Sequence, residues 1–453
     1  MTEKLEDAIQ RAGGPLPLLR NWSARAHTLP IVAEHTSWQE EQHAWKVACV
    51  LMDQSHHMTD LFLEGPDALK LLSGLGTNSF KNFGPGKAKQ FIVADYYGRY
   101  IGDVILFALP DGGFDLVGRE IVMDWVQYHV EIGNYDVTVT RDDNTAVREP
   151  GKPPVLYRYE VQGPNAGPLI RKVLGGELPD VKFFNMAGFS IGGHHVHALR
   201  HGMAGQPGYE LFGPWVEGED VRNAIVAAGD EFGLKHVGAK AYSTANLESG
   251  WIPPTLPGIF SGEKNKGFRE WVTTATLGAL GGSLNHDEIE EYYLTPYDLG
   301  YGHYVVFDHD FVGREALKKI QDGGPNAKVS LVWNSDDVTA VFGSLYQLGE
   351  SAKIINIPKA RYALYQKDAV LKDGKLVGQS LDCGYISNEK LMISLASIDK
   401  SLSEPGTEVT VLWGENPRSQ KSGIEPHKQV EIRATVAPAP FERYARGEYR
   451  DQK

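Results

Sequence analysis

Cysteine is almost missing: the 453-residue chain has two, Cys49 and Cys383, far apart and each beside apolar residues. That excludes a disulfide framework and a CxxC metal site, and it fits a reducing compartment. Long hydrophobic runs are absent. No stretch of about 18 apolar residues occurs, and the charged, helix-patterned opening MTEKLEDAIQRAGG lacks the apolar segment of a signal peptide. The final Arg-Asp-Gln-Lys carries no lipidation or retention signal, so the expected location is the cytoplasm. Positive charge is in deficit, with 45 Lys+Arg against 58 Asp+Glu and a net charge of -13. Such a chain repels phosphate backbones and anionic lipid, so neither nucleic acid nor membrane is an expected partner.

Common catalytic signatures are missing as well. There is no GxxxxGK phosphate loop, no GxGxxG after a strand, no GxSxG nucleophile elbow and no HExxH zinc helix. His56-His57 and the run His194, His195, His197 raise the question of a metal. Period-2 spacing puts His195 and His197 on one strand face without a nearby Cys or carboxylate, so ordinary strand histidines are expected and no metal.

What is present is an ordinary globular composition, 42% hydrophobic and 23% charged, on a length that suggests about three lobes at roughly 150 residues each. Fifty glycines and 25 prolines punctuate short β-rich runs such as FIVADYYGRYIGDVILFAL (91–109), GFDLVGR (113–119) and YDVTVTRDD (135–143). Between them lie helical patterns: DALKLLSGL, EIVMDWVQYHVEIG from Glu120, NAGPLIRKVLG from Asn165 and GEDVRNAIVAAGDEFG from Gly218. The interleaving favours an α+β or mixed α/β chain. A partial echo recurs, strand, Gly65-Pro66 or Gly163-Pro164, then helix, as two related halves would produce. A boundary is expected between about 315 and 330. The following segment, 325–453, is strand-rich, with a hairpin signal at Asp373-Gly374, and reads as a small β-barrel domain. No coiled-coil or long apolar seam is apparent, which points to a monomer or weak homodimer.

Single residues leave alternatives open. Arg119 closes a strand and precedes a helix, as a surface pair or an anion receptor. Tyr242, in AKAYSTANLESGWIPP, reads by itself as a half-buried loop tyrosine. Glu210, at the end of GMAGQPGYELFG, is either an exposed strand residue or a carboxylate beside a glycine-rich backbone approach that pairs with a ring N–H and amino group.

Longer segments narrow the choice. VLMDQSHHMTDLFLEGPDALKLL (50–72), RHGMAGQPGYELFGP with ANLESGW, and TPYDLGYGHYVVFDHDFVGREAL (295–317) resemble the glycine-cleavage aminomethyltransferase superfamily, a tetrahydrofolate-binding group. LRNWSARAHTLPIVAEHTSWQEEQHAWK, KFFNMA, LRHGMAG, LESGWIP, FDHDFVGR, VLWGE and EPHKQ look more narrowly like the tetrahydrofolate-dependent aryl O-demethylases of vanillate, syringate or 3-O-methylgallate. The match spans nearly the whole chain.

The resemblance implies an α+β aminomethyltransferase-like fold. Two related folate- and substrate-binding lobes, roughly 1–150 and 151–320, precede a C-terminal β-barrel domain over 325–453. It implies transfer of an aryl methyl group to N5 of tetrahydrofolate, with Tyr242 donating the proton to the departing phenolate. The aromatic acid is met by Arg119 at its carboxylate, His57 at its ring hydroxyl, and Leu29, which stands where the vanillate-type enzymes have tyrosine. The folate is met by Glu210 at the pterin, Trp251 as an aromatic wall, Asp103 as a folate or architectural residue, and Gln54. Two alternatives remain: another methyl donor, such as a chlorinated methoxybenzoate of the dicamba kind or a sulfonium acid, and a folate-binding protein without methyl transfer. The second has no use for a proton donor at Tyr242.

Overall fold

The computed structural model describes residues 3–22, 29–253 and 255–451, so Ser23–Thr28 of the LRNWSARAHTLP stretch lies outside the described residues. Eleven strands build two sheets: β1 (Cys49–Asp53), β2 (Thr59–Glu64), β3 (Lys87–Ala94), β4 (Tyr100–Ala108), β5 (Phe114–Gly118), β6 (Thr138–Asp142), β7 (Leu156–Gln162), β8 (Met186–Ile191), β9 (His194–Arg200), β10 (Gly208–Pro214) and β11 (Leu234–Val237). One sheet has the order β3-β4-β5-β2-β6 and is antiparallel throughout. The other has the order β11-β1-β7-β10-β9-β8, with a single parallel pair, β1 with β11. β1 therefore pairs with strands that lie far downstream of it.

Each sheet carries helices on its outer face because its strands alternate. Tyr157, Tyr159 and Val161 of β7 pack with Leu169, Ile170, Val221 and Ile225 of helices Ala166–Leu174 and Gly218–Gly229. Leu61, Leu63, Leu106 and Leu116 pack in the same way against helices Ala68–Leu75 and Glu120–Ile132. The inner faces meet one another, and the rings of Phe107 (β4) and Phe212 (β10) cross at 5.1 Å between centroids.

The Gly-Pro echo is a structural repeat. Gly65 and Gly163 both have φ of 125°, follow β2 and β7, and lead into the helices starting at Ala68 and Ala166. At the first corner, the Asp67 N–H donates to the Asp136 carbonyl at the start of the neighbouring strand. At the second, Asn165 donates to Ala48 in the same way. A Cβ on either glycine would stand 2.3 Å from Asp136 O or 2.4 Å from Ala48 O, so only glycine fits between strand and neighbour.

A closed six-stranded barrel follows, made of Ala327–Trp333, Asp368–Lys372, Lys375–Ile386, Leu391–Ile398, Glu408–Trp413 and Val430–Ala437. Leu331, Trp333, Val370, Ala396, Val411, Trp413 and Ile432 belong to its core. The Asp373-Gly374 turn has positive φ at both residues, 50° and 73°, the two-residue hairpin geometry that matches strand twist. The chain is thus α+β with a C-terminal barrel. Among the described residues no helix is long and apolar enough to cross a membrane.

Gly65→Ala and Gly163→Ala are each expected to lower the thermal unfolding midpoint by several degrees. Gly176→Ala, at a glycine with nothing within 4 Å of its would-be Cβ, should leave it nearly unchanged. Differential scanning calorimetry on the three variants makes the comparison.

Candidate active site

The two sheets, the segment from Gly238 to Pro253 and the barrel enclose a cavity of about 1500 Å³. Leu29, Gln54, His57, Asp103, Arg119, Glu210, Tyr242 and Trp251 all line it. The folding of the chain explains the convergence. Gln54 and His57 sit in the turn after β1, Asp103 is on β4 and Glu210 on β10. Arg119 stands between β5 and the helix Glu120–Ile132, and Tyr242 ends the short helix Ala239–Tyr242.

The inner faces carry charge. Arg158 of β7 is fully enclosed and reaches three acids: Nη1 donates to Glu210 Oε1 at 3.1 Å, and Nη2 donates to Asp60 Oδ1 at 2.5 Å and Asp115 Oδ2 at 2.6 Å. Its guanidinium also lies 4.7 Å from the Phe212 ring centroid and 5.3 Å from that of Phe107. Burial raises the Glu210 carboxyl, and Arg158 opposes the rise. Arg158 takes only Oε1, so Glu210 Oε2 keeps its acceptor capacity toward the cavity the residue lines. The glycine-rich approach beside Glu210 serves a neighbour: a Cβ on Gly208 would stand 2.1 Å from the Val161 carbonyl of β7.

Gln54 is buried with Nε2 donating to Glu160 Oε2 at 2.6 Å and standing 3.4 Å from the Tyr242 hydroxyl, while its Oε1 has no partner. Glu160 accepts the Met203 N–H at 2.8 Å and lies 3.4 Å from His201 Nδ1. Burial opposes protonation of His201, yet the contact with Glu160 raises its pKa. The Tyr242 hydroxyl is 2.9 Å from His57 Nε2, and His57 Nδ1 is buried without a partner. Burial, then the charges of Glu160 and Glu210, raise the Tyr242 phenol well above its ordinary 10. Tyr242 therefore holds its proton more tightly than an ordinary tyrosine does. Burial and the Arg119 charge push His57 down to about 4, so it is a neutral ring that can accept or donate at either nitrogen, one at a time.

Asp103 is occupied by the protein. The Trp251 indole N–H donates to its Oδ2 at 3.0 Å, and Gln90 and Tyr100 donate to it too. Its carboxylate fixes the indole edge-on, while Trp251 lines the cavity. Lys328 donates to the Gly250 carbonyl at 3.0 Å, and burial lowers it to about 8. Among the described residues no group of three or more His, Cys, Asp or Glu is placed to hold a metal ion.

Residue-by-residue reading missed Arg158, Glu160, His201 and Arg361, the last also lining the cavity. In LYRYEVQ the polar residues alternate with apolar ones, a pattern that normally marks a solvent face. Here that face is turned inward. All seven residues from Leu156 to Gln162 except the first are buried.

Known proteins share this architecture. The GCVT N-terminal domain family matches residues 25–253. A syringate O-demethylase from Sphingobium sp. is 47% identical, covering 100% of this chain and 98% of that protein. A sesamin methylene transferase from Sinomonas sp. is 28% identical over 83% of this chain and 82% of its own length. Among solved structures, the glycine cleavage system aminomethyltransferase T of Bartonella henselae superposes with a TM-score of 0.60 at 17% identity, covering 91% of both chains, a likeness of fold.

His57 supplies a pH test. Its folded pKa of about 4 lies below the 6.5 of an unperturbed histidine, so the unfolded chain takes up this proton first as pH falls. Its contribution to stability is complete above pH 6.5 and is lost as pH drops through the window down to about 4. The thermal midpoint of the wild type is expected to fall faster than that of His57→Asn between pH 7 and pH 4.5, measured at matched ionic strength.

Proposed function

The chain belongs to the family of the GCVT N-terminal domain, and from that premise we propose that it is a tetrahydrofolate-dependent O-demethylase of an aromatic methoxy acid of the syringate type. One observation carries the reading. A single cavity, larger than the ~300–1,000 Å³ of an ordinary ligand pocket, holds a carboxylate at Glu210, a proton donor at Tyr242 and, at Arg119, a guanidinium with no hydrogen-bond acceptor among the described residues. That is room and chemistry for two ligands.

The residues present fit a reduced pterin. Gln54 Oε1, orphaned and buried, and Glu210 in the same cavity are acceptors for ring N–H and amino groups, and Trp251 offers an aromatic wall. Tetrahydrofolate, when bound, supplies the N5 lone pair that takes the methyl carbon. The bond that breaks is aryl O–CH3, and its electron pair stays on an oxygen whose phenol has a pKa of about 10 if it resembles tyrosine. Tyr242 meets that oxygen as a donor. With Nε2 of neutral His57 donating to the Tyr242 oxygen, the Tyr242 hydrogen is free to point at the leaving oxygen and stabilise its charge, and the proton displaced from N5 by the methyl would restore the Tyr242 hydroxyl as its own proton completes the phenol. Leu29 lines the cavity with a smaller side chain than the tyrosine that the resemblance to the vanillate-type enzymes puts there. Arg119 has no hydrogen-bond acceptor among the described residues and meets the ring carboxylate with a planar fork. Holding both ligands in line is the larger part of the catalysis. We place the reaction in the cytoplasm, where buried, free Cys49 and Cys383 stay reduced.

Anaerobic incubation with tetrahydrofolate and syringate is expected to give 5-methyltetrahydrofolate and the freed phenol in equal amounts. Folate binding without methyl release from any methoxy acid would overturn the reading. Tyr242→Phe should lower kcat by about 10²–10⁴ with folate affinity nearly unchanged. Arg119→Ala should raise KM for the aromatic acid by the equivalent of about 2–5 kcal/mol, a buried charged pair broken at one end.

A further inference from the structure

Arg361 enters the cavity from the far part of the chain. It sits in the segment between the helix Ser335–Ser344 and the barrel strand Asp368–Lys372, and this segment is tied to the barrel wall by the Ala360 N–H donating to the Cys383 carbonyl at 3.0 Å. Two neighbouring cations in this segment fare differently. Lys359 is neutralised: its ammonium donates to Asp382 and to Asn246 Oδ1, and Asn246 Nδ2 also donates to Asp382 Oδ2 at 2.7 Å. Arg361 is held more loosely. Its Nη1 makes an ion pair with the same Asp382 at 4.0 Å, beyond hydrogen-bond reach, so its N–H donors have no acceptor among the described residues, and its side chain is 19% exposed.

Arg119 is in the same position across the cavity, with no hydrogen-bond acceptor among the described residues. Each guanidinium has five N–H donors in a rigid fork and keeps its charge at any physiological pH. Two such groups in one enclosed space repel each other, and after burial the charge of Arg361 is the largest influence lowering the Arg119 pKa. Two half-buried guanidiniums with unfilled donors line one cavity, Arg119 beside Glu120 and Arg361 4.0 Å from Asp382, and an anion between them would fill both forks. His57, which feels the Arg119 charge and bonds Tyr242, fixes this end of the cavity as the one next to the proton donor.

We infer that Arg361 is a second carboxylate-binding residue, bracketing with Arg119 the ring carboxylate of the aromatic acid, so that the substrate site is completed by the C-terminal part of the chain. This rests on the function proposed above and adds a specificity determinant to it. One fork fixes the plane of a carboxylate; two forks from different parts of the chain also fix the direction of the ring axis, and with it the place of the methoxy carbon. Lysine would supply charge without the fork.

The test compares syringate with 2,6-dimethoxyphenol, the same ring without the carboxylate, on wild type, Arg361→Met, Arg361→Lys and Arg119→Met. Binding is followed by tryptophan fluorescence and turnover by phenol release. Arg361→Met is expected to lower the preference for acid over phenol, as a ratio of kcat/KM, by about thirtyfold, to leave KM for tetrahydrofolate within about twofold, and to be partly rescued in Arg361→Lys. Three results would overturn the inference: an unchanged preference in Arg361→Met while Arg119→Met loses it, an equal loss on both ring compounds, or a rise confined to KM for tetrahydrofolate, which would assign the arginine to the folate carboxylates. Should the wild type bind syringate yet release no phenol, with binding weakened in Arg361→Met, the carboxylate site stands and the proposed reaction fails.

Discussion

One guanidinium holds the two sheets together. Arg158 leaves β7 and reaches Asp60 on β2, Asp115 on β5 and Glu210 on β10, so a residue of one sheet is bonded to two strands of the other and to its own neighbour. Nothing at this junction is solvated enough to tolerate an unpaired charge. Asp115 is pushed well above the carboxylate range, by burial first and by Asp60 next, which brings the acids closer to balance with one cation. The pair of phenylalanines around the guanidinium gives it the apolar faces that its edge does not need.

The rest of the cavity follows from that junction. Because the inner face of β7 is spent on Arg158, Glu160 and Gln162, the sheets do not close on a continuous apolar layer, and a cavity is left beside them. Gln162 accepts the Ala204 N–H and Glu160 the Met203 N–H, so the same face positions the glycine-rich loop after β9. Gln54, held by Glu160, stands next to Tyr242. The framework and the site share residues, and side chains at the site are held in place from behind by acids whose own partners are backbone groups.

Much of this is legible in the sequence where local chemistry decides the outcome. The helix Glu120–Ile132 follows from apolar residues at Val122, Met123, Trp125 and Val126, and the hairpin at Asp373-Gly374 from its turn residues. The two Gly-Pro corners were visible as an echo because a backbone constraint leaves a residue-level trace. The eight residues that resemblance over long segments singles out all line the cavity. What stayed hidden is tertiary. Arg158 and Glu160 look like the wet side of an alternating strand, and only the packing of one sheet on another buries them. Arg361, in IPKARYALY, is separated from Arg119 by more than two hundred residues, and no period or spacing links them. The upward Tyr242 shift likewise comes from burial first and then from the charges of Glu160 and Glu210, all of which only the fold supplies.

The placement of β1 has a consequence for biosynthesis. Its partners are Leu156–Gln162 on one side and Leu234–Val237 on the other. A ribosome adding about 5–20 residues per second leaves the outer edge of Cys49–Asp53 without its parallel neighbour for roughly ten to forty seconds after the strand emerges. During that interval β2 to β6 are complete and can form their own antiparallel sheet, while CVLMD presents apolar side chains and open backbone groups to whatever is nearby. The first half of the nascent chain thus finishes a sheet that does not contain its own first strand, and Cys49–Asp53 stays unpaired until Leu156–Gln162 has been made.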